Sequence, residues 1–434
     1  MTEFKDGVSY LSNYLYLPKE KVNFKVLKYS LMVGDLPSDA ELVGNHVRVP
    51  LHFMDPIEPF EDIRPTWEKL PIVSKTKLRP QQQDALLSMV SHGHGILNLG
   101  CGHGKTVVAL NYIALEQEKA IVIVNRVNLI SQWIDEIKTH LDIPESKIGI
   151  VQGKKWEYED KFIVLASINT LSSKADTLPQ DFAKSFGVIV FDECHHLSAP
   201  MFHKVCPMFY GKRHGLSATP KREDGYERAF EYHIGPVHFS NTSQELIPSI
   251  YFIDTGLTED DVTDDAKDRS GEIHHRKLCA WLGTLTNRNN LIRKEIDRYV
   301  SDGHKVLCLT HSVEHVKHMS TLYPESGIAC GDVDAELRRD NIANNPVSFA
   351  TLDVAAEALN VPELSCLIIM TPFGAKTHGN ILQQALGRIQ RKHQHKLNPI
   401  AIFISDTSIH MCGALMRQCK KRLAEWGYEY NDRK

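Results

Sequence analysis

The sequence predicts an α/β protein: two parallel-sheet domains in tandem, behind a small β-rich N-terminal unit. Three observations carry this. Strand-length apolar runs rich in β-branched residues recur with helical patterns between them, which indicates strands buried on both faces and a sheet covered by helices. The series runs once from about residue 95 and begins again after about 246. The first 70 residues follow neither pattern.

Length and composition fit that reading. The chain has 434 residues, enough for two or three domains, with 42% hydrophobic and 24% charged residues. No run reaches the ~18 apolar residues of a membrane span, and the N-terminus lacks a signal-peptide pattern. Nine cysteines without a Cys-x-x-Cys pair argue for a reducing, cytoplasmic setting and against a zinc or disulfide framework. Cys194-His195-His196 is a poor metal motif, because adjacent residues do not easily converge on one ion. The formal net charge is -4, so no global basic field attracts nucleic acid, and any such binding must use a local cleft.

In the N-terminal unit (1–70), Val22 to Leu27 alternates partly, and Val43 and Val47 to Phe53 look strand-like. Tyr10, Tyr14 and Tyr16, with lysines 19, 21, 25 and 28, could stack on and track a nucleic-acid strand. They equally suit core aromatics beside a solvated face. Pro56, Pro59, Pro65 and Pro71 punctuate a linker.

The first sheet domain (71–245) opens with Leu78-Arg-Pro-Gln-Gln82, whose glutamine amides offer a donor and an acceptor to an adenine edge. Gly95 to Leu99 then climbs into a glycine-rich turn, and Gly104-Lys105-Thr106 opens a helical pattern with Val107, Leu110, Ile113 and Ala114 on one face. That order suits a phosphate-binding loop, although Leu99 stands where the strict pattern has glycine. Backbone N–H groups of Gly102 to Thr106 can wrap a polyphosphate, Lys105 adds a full positive charge, and the Thr106 hydroxyl suits Mg²⁺. The runs at Ala120–Val124, Phe162–Ala166, Gly187–Phe191 and Gly215–Thr219 read as the next strands. Ligands sit at the carboxyl ends of such strands. There, after Phe191, come Asp192, placed for a second Mg²⁺ contact, and Glu193, placed to polarise water.

The second sheet domain (246–434) has strand runs at Val306–Thr310, Ser326–Ala329, Val347–Thr351, Cys366–Met370 and Ile400–Ile404, with no phosphate loop. Gln384, Arg388 and Arg391 fall at i, i+4 and i+7, so a helix there presents them on one polar face. Glu259 to Asp261 and Asp264-Asp265 read as a solvated loop. Met411 to Tyr428 reads as an amphipathic helix with Leu415, Cys419, Leu423 and Trp426 on its apolar face.

Asp192-Glu-Cys-His195 resembles the DExH box of superfamily-two helicases, and other motifs of that family follow in its order. Leu78 to Gln82 resembles the adenine-reading Q motif, Val124-Asn-Arg126 with Leu129 and Gln132-Trp133 resembles motif Ia, and Ser217-Ala-Thr219 resembles motif III. Gln384 to Arg391 is similar to motif VI. Thr219 to Gly225 with Ile234-Gly-Pro236 is most similar to the XPB-like and phage UvsW-like branch. The resemblance spans roughly residues 76 to 425. It implies two RecA-like domains and an ATP-dependent DNA helicase or translocase, with ATP and Mg²⁺ as cofactors. It also implies that Arg79, Gln82, Gly102 to Thr106, His195 and Gln384 contact nucleotide, with Thr106 and Asp192 on the metal. Lys105, Asp192, Glu193 and the arginine fingers Arg388 and Arg391 would do the chemistry. Arg126, Gln132, Thr170, Ser217, Thr219 and Thr351 would couple hydrolysis to the nucleic acid. The UvsW-like branch implies forked or branched DNA as substrate; duplex unwinding, an RNA substrate, or a non-hydrolysing DNA-binding scaffold are the alternatives. In motif V, Ala358 and Asn360 replace the usual glycine and aspartate.

Overall fold

The computed structural model describes residues 4–36, 38–100, 102–194, 199–218, 226–241, 246–355, 361–391, 393 and 396–433. It divides into two compact units, Met1–Thr242 and Ser243–Lys434.

Besides a two-stranded pairing of Val73–Ser74 with Leu141–Asp142, the first unit holds two larger sheets. The smaller is built from β1 (Ser9–Leu11), β2 (Leu15–Pro18), β3 (Glu41–Val43), β4 (His46–Val49) and β5 (Phe60–Asp62), in the order β3-β4-β2-β1-β5. Two expectations change here. Val22 to Leu27 is not a strand, because the Asn23 side chain accepts from the Lys25 and Val26 N–H groups and starts helix α1 (Phe24–Ser30). The proline-rich linker contains β5, which pairs in parallel with β1. Tyr10 is buried and stacks on Phe4, and Tyr14 lies under the Arg48 guanidinium, so these rings serve the unit's own packing.

The larger sheet comprises β6 (Gly95–Leu99), β7 (Ala120–Val124), β8 (Ile148–Gln152), β9 (Lys155–Trp156), β10 (Ile163–Ser167), β11 (Val188–Phe191), β12 (Lys212–Ser217) and β13 (Val237–Asn241). The order is β9-β8-β10-β7-β11-β12-β6-β13, and every pairing except β8 with β9 is parallel. Each central strand divides its residues between two cores with period two. Ile121, Ile123, Ile189 and Phe191 enter one core, and Ala120, Val122, Val124, Val188 and Val190 enter the other. Helices α2 (Pro80–His92), α3 (Lys105–Glu116) and α4 (Asn128–His140) cover the second of these. The buried part of α3 is Val108 to Ile113, almost the whole circumference, rather than the single stripe read from the sequence.

The small sheet is fixed to the large one by buried polar contacts. The Arg213 guanidinium, in β12, donates to the carbonyls of Asn13, Phe209 and His233. Asp39 joins His203 at 2.9 Å and His233 at 2.7 Å.

The second unit has one seven-stranded sheet, parallel at every pairing. Its strands are β14 (Ser249–Asp254), β15 (Lys305–Thr310), β16 (Gly327–Ala329), β17 (Val347–Thr351), β18 (Leu364–Ile369), β19 (Ile400–Ser405) and β20 (Tyr430–Arg433), ordered β16-β17-β15-β18-β19-β14-β20. The helices that matter below are α5 (His275–Leu282), α6 (Thr286–Ser301), α7 (Ala375–Ile389) and α8 (His410–Glu425). Glu259 to Asp261 and Asp264 to Ala266 form short 3-10 turns whose acids are exposed while Ala266 is buried. On α8 the buried face is Cys412, Met416, Cys419 and Leu423; Leu415 is only half-buried, one position off the expected stripe.

Candidate active site

The carboxyl ends of β6 and β11 bring the phosphate loop and the acidic pair together. Gly102 and Gly104 have φ of 85° and 77°, a region other residues enter only with strain. A side chain at Gly104 would also run into the Gln82 amide. Lys105 begins α3, and its Nζ donates to the Leu99 carbonyl at 3.3 Å and meets Glu193 Oε1 at 3.3 Å. The loop is therefore laced to the strand it leaves and to the end of β11.

Asp192 is buried and held by two donors. Trp133 Nε1, on α4, donates to Oδ2 at 2.8 Å, and the Glu193 N–H donates to Oδ1 at 3.0 Å. Burial first, and the Glu193 charge second, push its carboxyl up to about 6, against the Trp133 hydrogen bond and the Lys105 charge. Glu193 sits at φ 44°, a left-handed backbone that costs a non-glycine residue roughly 1–2 kcal/mol. The turn after β11 holds it there, which aims its carboxylate at Lys105. Trp133 belongs to the stretch that resembles motif Ia; its bond to Asp192 spans 59 positions and leaves no local signal in the sequence.

Gln82 is buried with both amide atoms in use. Its Oε1 accepts from the Arg79 N–H at 3.0 Å, closing the start of α2, and its Nε2 donates to the His103 carbonyl at 3.1 Å. In this structure it is a strut between α2 and the phosphate loop. Thr106 follows Lys105 in the first turn of α3. Thr106 and Asp192 offer only oxygen atoms, a donor set suited to Mg²⁺.

The other expected residues of this unit sit on neighbouring elements, Ser217 on the strand between β11 and β6. Arg126 is exposed beyond β7, Gln132 is half-buried on α4, and Ser217 is buried at the end of β12. The Thr170 hydroxyl is buried and accepts from the Gly153 N–H at 2.9 Å. His195 and Thr219 lie outside the described residues, as do Ala358 and Asn360 of motif V.

In the second unit, Thr351 ends β17, and Gln384 and Arg388 lie half-buried on α7. The helix stops at Ile389, so Arg391 is not the third member of one helical face. It follows the C-cap Gln390, and Lys396 Nζ donates to its carbonyl at 2.8 Å.

Comparisons with known proteins agree with this arrangement. The family model described as "Type III restriction enzyme, res subunit" matches residues 75–222. A chain of Acanthamoeba polyphaga mimivirus, provisionally named an ATP-dependent RNA helicase, is 28% identical over 84% of this chain and 71% of its own. The DNA 3'-5' helicase XPB of Kineococcus radiotolerans is 25% identical over 81% of this chain and 64% of its own length. The structure of S. cerevisiae Dbp5 bound to RNA and ADP BeF3 has a TM-score of 0.58 at 12% identity, covering 83% of this chain and 90% of that one, a likeness of fold. Both large sheets are RecA-like, and these matches support an ATP-dependent helicase of superfamily two. Its relatives within that superfamily include proteins of the XPB type. Among the described residues no helix is long and apolar enough to cross a membrane.

Proposed function

We propose that this chain couples ATP hydrolysis to directional movement on forked or branched DNA, as in fork remodelling, branch migration, repair or recombination. The observation that supports the chemistry is the meeting of Lys105, Asp192 and Glu193 at the carboxyl ends of β6 and β11, the two strands that flank β12. In this reading residues 1–70 are an accessory domain, 71–245 bind the nucleotide and 246–434 supply the arginines.

Gly102 to Lys105 and the N-terminus of α3 hold the phosphates, and Arg79, Gln82, His195 and Gln384 line the nucleotide. Thr106 and Asp192 would hold Mg²⁺, which supplies charge neutralisation on the phosphates when bound. The γ-phosphate competes with Glu193 for the Lys105 ammonium. Once displaced from that 3.3 Å ion pair, the Glu193 carboxylate is available to take a proton from the attacking water. Arg388 and Arg391 stabilise the charge that develops on the transferring phosphoryl group. Arg126, Gln132, Thr170, Ser217, Thr219 and Thr351 link that chemistry to the strand.

The preference for branched DNA rests on the motif resemblance around Ser217 to Pro236. Separating strands must break stacking of roughly 1.4 kcal/mol per step, whereas migrating a branch breaks one pair as it forms another. A second reading is RNA unwinding, favoured by the name given to the mimivirus relative. The test is ATPase activity stimulated by single-stranded, duplex, forked and four-way DNA and by single-stranded RNA. Strongest stimulation by forked or four-way DNA is expected, and strongest stimulation by RNA would reverse the assignment.

A further inference from the structure

In the second unit three metal-ligating side chains meet beside the carboxyl ends of β15 and β18. His275 and Cys279 are one turn apart on α5, so both project on the same side of that helix. His311 follows Thr310, the last residue of β15. Cys279 Sγ lies 3.6 Å from His275 Nε2 and 3.8 Å from His311 Nδ1, and the three ligand atoms are all within 4.8 Å of one another. Cys279 is buried and both imidazoles are half-buried.

We propose that His275, Cys279 and His311 bind a zinc-type divalent ion that ties α5 to the end of β15. Tetrahedral zinc, with Zn–S near 2.3 Å and Zn–N near 2.0–2.1 Å, requires S···N separations of about 3.6 Å. The two observed separations match that edge with almost no movement. One thiolate and two imidazoles select zinc or a neighbouring transition metal over magnesium or calcium. Oxygen for a fourth position is at hand. Thr371 Oγ1 lies 2.9 Å from His311 Nδ1, and the Pro372 carbonyl lies 3.3 Å from His275 Nε2. Binding replaces the Cys279 S–H bond with a sulfur–metal bond and releases that proton to water. Thr310 is paired with Thr351 across β15 and β17, so the ion would stiffen the carboxyl end of the sheet at Thr351.

The same contacts also close as a metal-free hydrogen-bond relay, in which the thiol donates to one imidazole and accepts from the other. Cobalt separates the two. The full-length protein, purified without a histidine tag, is assayed for bound metal, stripped with chelator and titrated with Co²⁺. About one zinc per chain is expected, with tetrahedral ligand-field bands and a thiolate-to-cobalt charge-transfer band on titration. Cobalt held at other histidines, of the 22 in the chain, would lack the thiolate band. Cys279→Ser should abolish that band and His311→Ala should weaken binding at least tenfold. A wild-type protein with no thiolate band, or a band that persists in Cys279→Ser, overturns the proposal. The wild-type spectrum decides the matter even where a variant fails to fold.

Discussion

Asp192 and Trp133 show how one residue's environment sets a pH response. Ionising Asp192 costs the fold more than it costs the unfolded chain, because its carboxyl is raised from 3.8 to about 6. Stability tied to its neutral form is therefore complete below pH 3.8 and is lost as pH rises towards about 6. Mg²⁺ needs the carboxylate, so Mg²⁺–ATP affinity of the folded protein should rise as pH passes upward through about 6. Trp133→Phe removes the indole N–H that favours ionisation, a hydrogen bond to a charged group contributing about 1.5–3 kcal/mol. The variant should need several-fold more Mg²⁺ at about pH 6 and much less of an excess at about pH 8, read from Mg²⁺ titrations of ATPase activity. An unchanged Mg²⁺ requirement at both pH values would remove Trp133 from the site. At the neighbouring position, Glu193→Gln should leave nucleotide binding largely intact and stop turnover, whereas Lys105→Ala should weaken binding itself. Near-normal hydrolysis by Glu193→Gln would remove the assignment of the base.

At the scale of elements, the strands were readable because continuous apolar runs have one economical solution, a sheet buried on both faces. Their ends are readable too, because polar residues follow the apolar runs directly, as Asp192 and Glu193 follow Phe191. What escaped was settled by single side chains. Asn23 turned an alternating run into a helix by capping it, and the end of α7 at Ile389 left Arg391 off the helical face. Gln82 looked like a ligand contact and is equally a strut, since an amide satisfies a loop carbonyl as readily as a base. The cluster of His275, Cys279 and His311 has no sequence spacing to detect, because a strand end brings the third member 32 residues beyond the second. A structural contact of the same non-local kind joins α6 to the end of β19. Arg288 Nε and Nη2 donate to Asp406 at 3.0 Å and 2.9 Å, both residues are buried, and Thr255 donates to the same carboxylate. Asp406→Ala leaves a guanidinium buried without its charge partner and should cost roughly 3–5 kcal/mol, measured by denaturant unfolding. A loss below about 1 kcal/mol would show that water reaches the guanidinium and replaces the carboxylate.

For the whole molecule, the proposed division of labour places the phosphate loop in one unit and the arginines in the other. Arg391→Ala should keep nucleotide affinity and depress DNA-stimulated turnover, by on the order of a thousandfold if it acts as a finger. Arg391→Lys should rescue little, because an ammonium lacks the planar two-donor fork. Full hydrolysis by an isolated 71–245 fragment, or a wild-type rate from the Lys variant, would end the two-domain reading. Because the net charge is -4, the proposed affinity for DNA would have to come from local phosphate contacts, with Arg126 a candidate. It should therefore fall with added salt, with a log–log slope near the number of phosphates neutralised.

The order β19-β14-β20 has a consequence for how the chain is made. β14 is the first strand of its sheet to be synthesised, yet its two hydrogen-bonding neighbours are the last, at Ile400–Ser405 and Tyr430–Arg433. For about 150 residues of translation its edges have no native partner, which makes this half of the chain slow to close and prone to wrong strand pairing while it waits. The first unit's large sheet has the same arrangement, since β6 lies between β12 and β13, its last two strands, but that sheet is complete once residue 241 is made. The nascent chain should therefore become protease-resistant in two stages: the first half once residue 241 has cleared the ribosome, the second only once Tyr430–Arg433 has done so. Deleting the segment from Tyr430 onward should leave the first stage untouched and expose β14 along one whole side, giving a protein that aggregates from its C-terminal half.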